Sequence, residues 1–160
     1  DDQRSGGFAD CLTENSNWEV AYEHYGNFER EGGYTGTQQI LQAYPEVTLI
    51  HNANTAMAMG SISAVQEIGA EVPVTAWGGT GDELEALRAG ELWATPMRMS
   101  DDVGVATAEV VKADLEGRTD EIPLVLLGRI TIVSGTTGPE EVDAMEQEAF
   151  RYTGIGTIER

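Results

Sequence analysis

The 160-residue sequence predicts an α/β fold in which a parallel sheet is flanked by helices. Short β-rich runs alternate with capped, amphipathic helical segments, which is the pattern of parallel strands joined by helices. A hydrophobic content of 41% is enough to bury a core. Right-handed crossovers would then place every strand-to-helix turn at one edge of the sheet.

The first third of the chain is predicted to contain two helices and one strand. A helix begins near Gly6, directly after Arg4, and a strand with a two-residue period covers residues 18–25. Thr35 opens a capping-box pattern that predicts a second helix, which ends at Pro45 because proline lacks a backbone donor.

A unit of strand, turn and helix then occurs twice in succession. Residues 47–51 form a buried strand, and the helix after it is capped by Asn54 and closed by Gly69. Residues 72–77 form the next strand, and its helix is closed by Gly90.

The remaining predicted elements continue the same alternation. Thr80 and Glu83 have the spacing of a capping box, and residues 92–97 form a further strand. Ser100 caps a helix over residues 101–116, whose first turn is acidic and therefore favourable at the positive end of the helix dipole. A last strand is expected over residues 124–127.

Composition and motifs exclude several classes of function. A net charge of −19 argues against a nucleic-acid partner, because binding a phosphate backbone requires a basic face. Cys11 is the only cysteine, so no intrachain disulfide can form, and its spacing from His24 and His51 does not indicate a metal site. No nucleophile elbow, phosphate-binding loop or zinc-protease motif is present, so we expect no enzyme activity and no cofactor.

The strand-to-helix turns bring candidate binding residues to one edge of the sheet. Trp77, followed by Gly78 and Gly79, and Arg98 lie at the ends of neighbouring strands, and Arg4 precedes a helix start. A guanidinium group offers five donors and an indole face covers an apolar ring, which suits a small oxygen-rich ligand. Trp77 as an ordinary core residue, and Arg98 as a surface arginine paired with an aspartate, remain alternatives.

These residues resemble the LuxP-like periplasmic receptors of autoinducer-2 and, more broadly, the type I periplasmic binding proteins of the ribose and galactose class. The similarity extends over essentially the whole chain and is most specific over residues 77–116. It rests on the runs Trp77-Gly78-Gly79, Met97-Arg98-Met99, Ala149-Phe150-Arg151-Tyr152, Arg4-Ser5-Gly6-Gly7-Phe8 and Asn54-Thr55-Ala56-Met57-Ala58-Met59-Gly60.

The resemblance implies two lobes joined by a hinge, of which this chain is mostly the carboxyl-terminal one. Residues 1–97 would form that lobe without its first strand, and residues 98–128 would return to an amino-terminal lobe. Residues 129–160 would supply the crossover with a last strand and helix. The sequence does not begin with Met, so we expect a segment of a longer polypeptide whose uncovered apolar faces favour association.

The resemblance also implies that Arg4, Thr55, Trp77 and Arg98 contact the ligand. In the autoinducer-2 receptors the paired arginines are thought to stabilise an anionic borate diester. Sugar-binding relatives carry acidic residues at the positions of Thr55 and Gly78, so their absence predicts a preference for an anionic ligand over a neutral polyol.

The predicted function is that of a periplasmic receptor for autoinducer-2 or a related furanosyl ligand, in quorum sensing or uptake. Its partner would be a membrane sensor kinase or the permease of an ABC transporter. Three other functions remain open: a ribose- or galactose-type sugar-binding protein of a transporter, the effector domain of a LacI-type transcription regulator, and an enzyme completed by an absent lobe.

Overall fold

A computed structural model describes residues 2–15, 17–79, 81–98, 103–122 and 130–149 and has the predicted α/β architecture. The chain divides into two compact units, residues 1–95 and residues 96–160. Its elements, in chain order, are α1 (Asp2–Asn15), α2 (Arg30–Ala43), β1 (Ile50–His51), α3 (Thr55–Ile68), β2 (Val74–Thr75), α4 (Gly81–Arg88), β3 (Ala94–Arg98), α5 (Val103–Leu115), a 3-10 turn (Thr119–Glu121), β4 (Ile130–Ser134) and α6 (Pro139–Ala149).

The sheet is built from parallel strands in the order of the sequence. β1 pairs with β2, with Ile50 opposite Val74, and β2 pairs with β3, with Thr75 opposite Ala94. Each of these strands is joined to the next by one helix, as the alternating pattern predicted. The core of the first unit consists of buried aliphatic side chains from the strands and the covering helices, among them Ile50, Ile62, Val74, Leu84, Leu87 and Leu92.

Helices α2 and α3 pack backbone against backbone. A β-carbon on Gly33 would collide with the backbone of Met57, and one on Gly60 would collide with the carbonyl of Arg30. Glycine therefore allows an approach that a side chain would prevent. The position of the start of α3 is fixed by this contact.

A buried chain of hydrogen bonds ties these helices to the sheet. Thr37 donates to Ser61 over 2.8 Å, and Ser61 donates to Asn52 Oδ1, also over 2.8 Å. Asn52 in turn bonds the backbone carbonyl of Thr75 through its own backbone N–H at 3.0 Å. Buried polar groups are tolerated here because they satisfy one another.

The predicted helix caps of α3 are confirmed. Asn54 accepts a hydrogen bond from the Met57 backbone N–H at 2.9 Å, and Gly69 closes the helix in the left-handed conformation with φ of 74°. Gly90 also adopts positive φ, 76°, directly after α4. Short polar and glycine signals thus located both helix ends correctly.

Three boundaries at the amino-terminal end differ from the prediction. Residues 18–25 run without a strand, because among the described residues no neighbouring strand offers them a hydrogen-bonded ladder. Helix α2 begins at Arg30, and the Thr35 hydroxyl bonds the carbonyl of Glu31 within it, so Thr35 is not a cap. Helix α1 already includes Asp2, so Arg4 lies inside the helix rather than before it.

The strands are shorter than predicted, since the ladder covers only part of each apolar run. Helix α5 is confirmed over residues 103–115, with Val111 and Leu115 exposed. The predicted caps at Thr80 and Ser100, the acidic residues 101–102 and the strand 124–127 lie outside the described residues. No helix in the described part of the chain is long and apolar enough to span a bilayer.

Candidate functional site

Arg4 is held between two aromatic rings at the carboxyl edge of the sheet. Its guanidinium carbon lies 5.9 Å from the centre of the Trp77 ring and 6.0 Å from that of Phe28. Its Nη1 donates to the carbonyl of Ala53, in the turn after β1, over 2.8 Å. These contacts anchor α1 to two strand ends and stabilise the cation by the π faces of both rings. We call Arg4, Phe28, Thr55 and Trp77 the Arg4 site.

The Arg4 guanidinium keeps most of its donors for other partners. Of its five N–H groups, one is engaged with Ala53 in the contacts made by the described residues. The Arg4 side chain is exposed, so the remaining donors of its planar guanidinium are accessible beside the two rings. These donors suit the oxygens of a small ligand.

Thr55 and the turn after β2 meet at the same edge. Thr55 is the first residue of α3, and Asn54 fixes that helix start. A β-carbon on Gly78 would lie 2.5 Å from Thr55 Oγ1, so the hydroxyl packs directly against the Gly78 backbone. Gly79 completes the turn with φ of 67°, a conformation that favours glycine. The predicted role of the two glycines in a sharp turn is therefore confirmed, although ligand contact by Thr55 and Trp77 stays a prediction.

Phe28 belongs to the site and was missed in the sequence. It has φ of 60°, next to Asn27 at 52°, and its carbonyl accepts a hydrogen bond from Asn54 Nδ2 at 2.9 Å. Two consecutive non-glycine residues in the left-handed region are uncommon and tend to mark functional turns. The Gly26-Asn27 pair is a turn signal that could have located this loop.

Glu83 is the second residue that sequence reasoning did not place at the site. Its side chain is fully buried, and Oε2 accepts hydrogen bonds from the Gly79 backbone N–H at 2.6 Å and from the Thr95 hydroxyl. Oε1 lies 2.8 Å from where a β-carbon on Gly78 would be, and it has no hydrogen-bond partner among the described residues. A carboxylate therefore lies beside Gly78, although the sequence has no acidic residue at that position.

Arg98 is the exposed last residue of β3 and belongs to the second unit. Its convergence with Arg4 and Trp77 stays a prediction. The sequence predicted that Arg4 and Arg98 bind the ligand together. Of these two arginines, only Arg4 lies in the first unit.

A cavity of about 420 Å³ lies between residues 18–25, α1, α2 and β1. The Phe8 ring stacks on His51 at its wall, with ring centres 3.9 Å apart, and His51 Nδ1 is 2.9 Å from the Thr75 hydroxyl. Burial lowers the pKa of His51 to about 4. Neither Arg4 nor Trp77 lines this cavity, whose wall includes Ala53, the residue whose carbonyl accepts the hydrogen bond from Arg4.

The fold is that of the periplasmic binding proteins. The family model described as "Periplasmic binding protein domain" matches residues 1–119, and the chain belongs to this family.

Individual relatives include sugar-binding proteins. The ribose import binding protein RbsB of Salmonella typhimurium is 31% identical over 116 residues, which are 72% of this chain and 39% of that protein. An ABC transporter solute binding protein from Agrobacterium vitis with bound D-fucose superposes with a TM-score of 0.77 at 22% identity, covering 88% of this chain and 49% of that one. An ABC transporter periplasmic solute binding protein from Actinobacillus succinogenes with bound D-allose has a TM-score of 0.74 at 25% identity, covering 89% of this chain and 49% of that one. The chain thus spans less than half the length of each of these relatives.

Proposed function

We propose that this chain is the ligand-binding lobe of a periplasmic solute-binding protein that delivers a sugar-like ligand to an ABC transporter. The observation that carries the proposal is the Arg4 guanidinium, which lies over the Trp77 and Phe28 rings and donates to the carbonyl of Ala53, two residues before Thr55. The similarity to a ribose import binding protein supports the same class of ligand.

The chemistry of the site fits a sugar ring. Sugars present apolar C–H faces and polar hydroxyl edges, so the face of Trp77 that is turned away from Arg4 would pack on the sugar ring while the remaining guanidinium donors bind its oxygens. The Thr55 hydroxyl both donates and accepts, as a sugar hydroxyl requires. A second lobe closing over the ligand would exclude the remaining water.

The named relatives favour a neutral sugar over autoinducer-2. They are ribose, D-fucose and D-allose binding proteins, so the transporter function fits them better than quorum sensing through a sensor kinase. They are also named as import or solute binding proteins, which favours this function over those of an enzyme or a transcription regulator. The Glu83 carboxylate near Gly78 points the same way, because the predicted anionic preference relied on the absence of such a group.

The test is calorimetric titration of the intact protein with D-ribose, D-allose and D-fucose. We expect saturable one-to-one binding of at least one of them, and Trp77→Ala to weaken it by about tenfold or more through loss of ring contact, corresponding to roughly 1.4 kcal/mol. Trp93→Ala is the matched control, because Trp93 is 53% exposed and lies outside the Arg4 site.

Two results would contradict the proposal. One is that none of the three sugars binds while autoinducer-2 binds in the presence of borate, which would restore the quorum-sensing function. The other is that Trp77→Ala and Trp93→Ala bind equally well, which would place the ligand elsewhere on the chain.

A further inference from the structure

Glu83 occupies an unusual position for a carboxylate in the first turn of a helix. Such residues are commonly solvated, but the Glu83 side chain is 0% exposed and turns back from α4 toward the sheet edge. Oε2 accepts from the Gly79 N–H and from the Thr95 hydroxyl on β3, so the orientation of the carboxylate is fixed from two sides.

The other oxygen, Oε1, is buried and lies close to Gly78. It and Thr55 Oγ1 both lie within 3 Å of the point where a β-carbon on Gly78 would stand, at 2.8 and 2.5 Å respectively. Because residue 78 is glycine, no side chain separates Oε1 from the ligand side of the turn, where Thr55 and Gly78 are both partly exposed.

A buried carboxylate oxygen normally accepts hydrogen bonds, and leaving it without one is unfavourable. Within the described ranges no donor reaches Oε1. Rotating the carboxylate would not solve this, since it would break the two bonds that Oε2 accepts. The donor would therefore come from outside these residues, and the turn at Gly78 and Thr55 is the partly exposed side of the carboxylate.

We propose that Glu83 Oε1 accepts a hydrogen bond from a hydroxyl group of the bound ligand and so makes Glu83 a specificity-determining residue. This inference rests on the proposed function and extends it. Arg4 supplies donors and Glu83 an acceptor, and sugar hydroxyls use both. The pair selects a neutral polyol, because an anionic group placed at Oε1 would bring no donor and would be repelled.

The experiment is a double-mutant cycle between the protein and its ligand. The intact wild-type protein and Glu83→Gln are titrated with D-ribose, D-allose and D-fucose and with the monodeoxy analogues of whichever sugar binds best. Gln keeps an acceptor for Gly79 and Thr95 but presents an amide donor in place of Oε1. Glu85→Gln is the matched control, since Glu85 lies on the same helix and is exposed.

We expect Glu83→Gln to weaken sugar binding by roughly ten- to a hundredfold, as for a lost charge-assisted hydrogen bond, while Glu85→Gln binds like wild type. One deoxy analogue should bind wild type more weakly than the parent sugar, and this difference should disappear in Glu83→Gln. Unchanged affinity in Glu83→Gln, or an equal loss of affinity for the deoxy analogue in both proteins, overturns the inference. Glu83 would then have only a structural role, through its hydrogen bonds to Gly79 and Thr95.

A second measurement needs no variant. Infrared difference spectra of wild type with and without sugar should contain a shifted carboxylate band, because carboxylates that are unchanged cancel; a flat carboxylate region contradicts the inference even if Glu83→Gln does not fold. If wild type binds none of the three sugars, the proposed function fails together with this inference. If wild type binds a sugar but the tests on Glu83 fail, only the inference fails, so the two outcomes can be told apart.

Discussion

His51 is a buried titratable residue whose environment sets a pH dependence of stability. Burial lowers the pKa of its imidazole from 6.5 to about 4, so the folded protein keeps it neutral under conditions in which the unfolded chain protonates it. The contribution of the neutral His51 to the free energy of unfolding is fully present above about pH 6.5 and is lost as the pH falls toward 4. It amounts to on the order of 2 to 3 kcal/mol across that window.

The prediction is a comparison of wild type with His51→Gln in urea unfolding at pH 7.5, 6.5, 5.5 and 4.5. The free energy of unfolding of wild type should fall more steeply with acidification than that of the variant, because only wild type carries this titration. Parallel curves for wild type and His51→Gln would show that His51 does not titrate in this way.

At the residue scale the sequence named Arg4, Thr55 and Trp77 as candidate ligand contacts, which stays a prediction, but it did not indicate Phe28 or Glu83. Strand ends and glycine turns are local signals, and they correctly brought the Trp77 turn to the edge of the sheet. Phe28 reaches Arg4 through a left-handed backbone, and Glu83 reaches Gly78 by folding back from its helix. Both depend on tertiary packing, which residue spacing does not encode.

Helix α3 carries Thr55, and its amino-terminal cap is a testable determinant of the site. Asn54 accepts from the Met57 N–H and donates to the carbonyl of Phe28, so one side chain joins the helix start to the Phe28 loop. We expect Asn54→Ala to lower the free energy of unfolding by about 1 to 2 kcal/mol, measured by urea denaturation.

Asn54→Asp separates the two contributions of that side chain. The carboxylate can still cap α3 but cannot donate to Phe28, so its stability should lie between those of wild type and Asn54→Ala. If Asn54→Ala were as stable as wild type, the cap would not hold the start of the helix.

At the element scale, the type and order of the strands and helices over residues 47–97 were predictable, whereas the boundaries and the strand expected over residues 18–25 were not. Asn54, Gly69 and Gly90 marked helix ends because caps act locally. The apolar alternation in residues 18–25 is that of a strand, but a strand requires a neighbour to pair with, and periodicity carries no information about a partner. Thr35 was misplaced as a cap because the same hydroxyl can bond a carbonyl inside a helix.

For the whole molecule, charge and exposed apolar surface act in opposite directions. A net charge of −19 keeps chains apart at low salt, while Leu115 on α5 and Ile132 on β4 are 81% and 64% exposed. Because salt screens the repulsion but not the apolar attraction, we expect the 160-residue chain to associate increasingly with NaCl between about 0.05 and 0.5 M.

Sedimentation velocity measures this association directly. The double variant Leu115→Gln/Ile132→Thr should remain smaller than wild type at high salt, whereas Glu85→Gln should behave like wild type. A chain that stays monomeric at every salt and protein concentration would contradict the expected association.

The close contact between Gly33 and the Met57 backbone has one more consequence. It holds the first turn of α3 against α2, so the Thr55 backbone is already ordered before any ligand arrives. Freezing a loop on binding opposes association, and that entropic penalty is largely absent here because folding has already supplied the order. Because the Thr55 part of the site is ordered before binding, fewer ligand contacts would be needed to reach a given affinity.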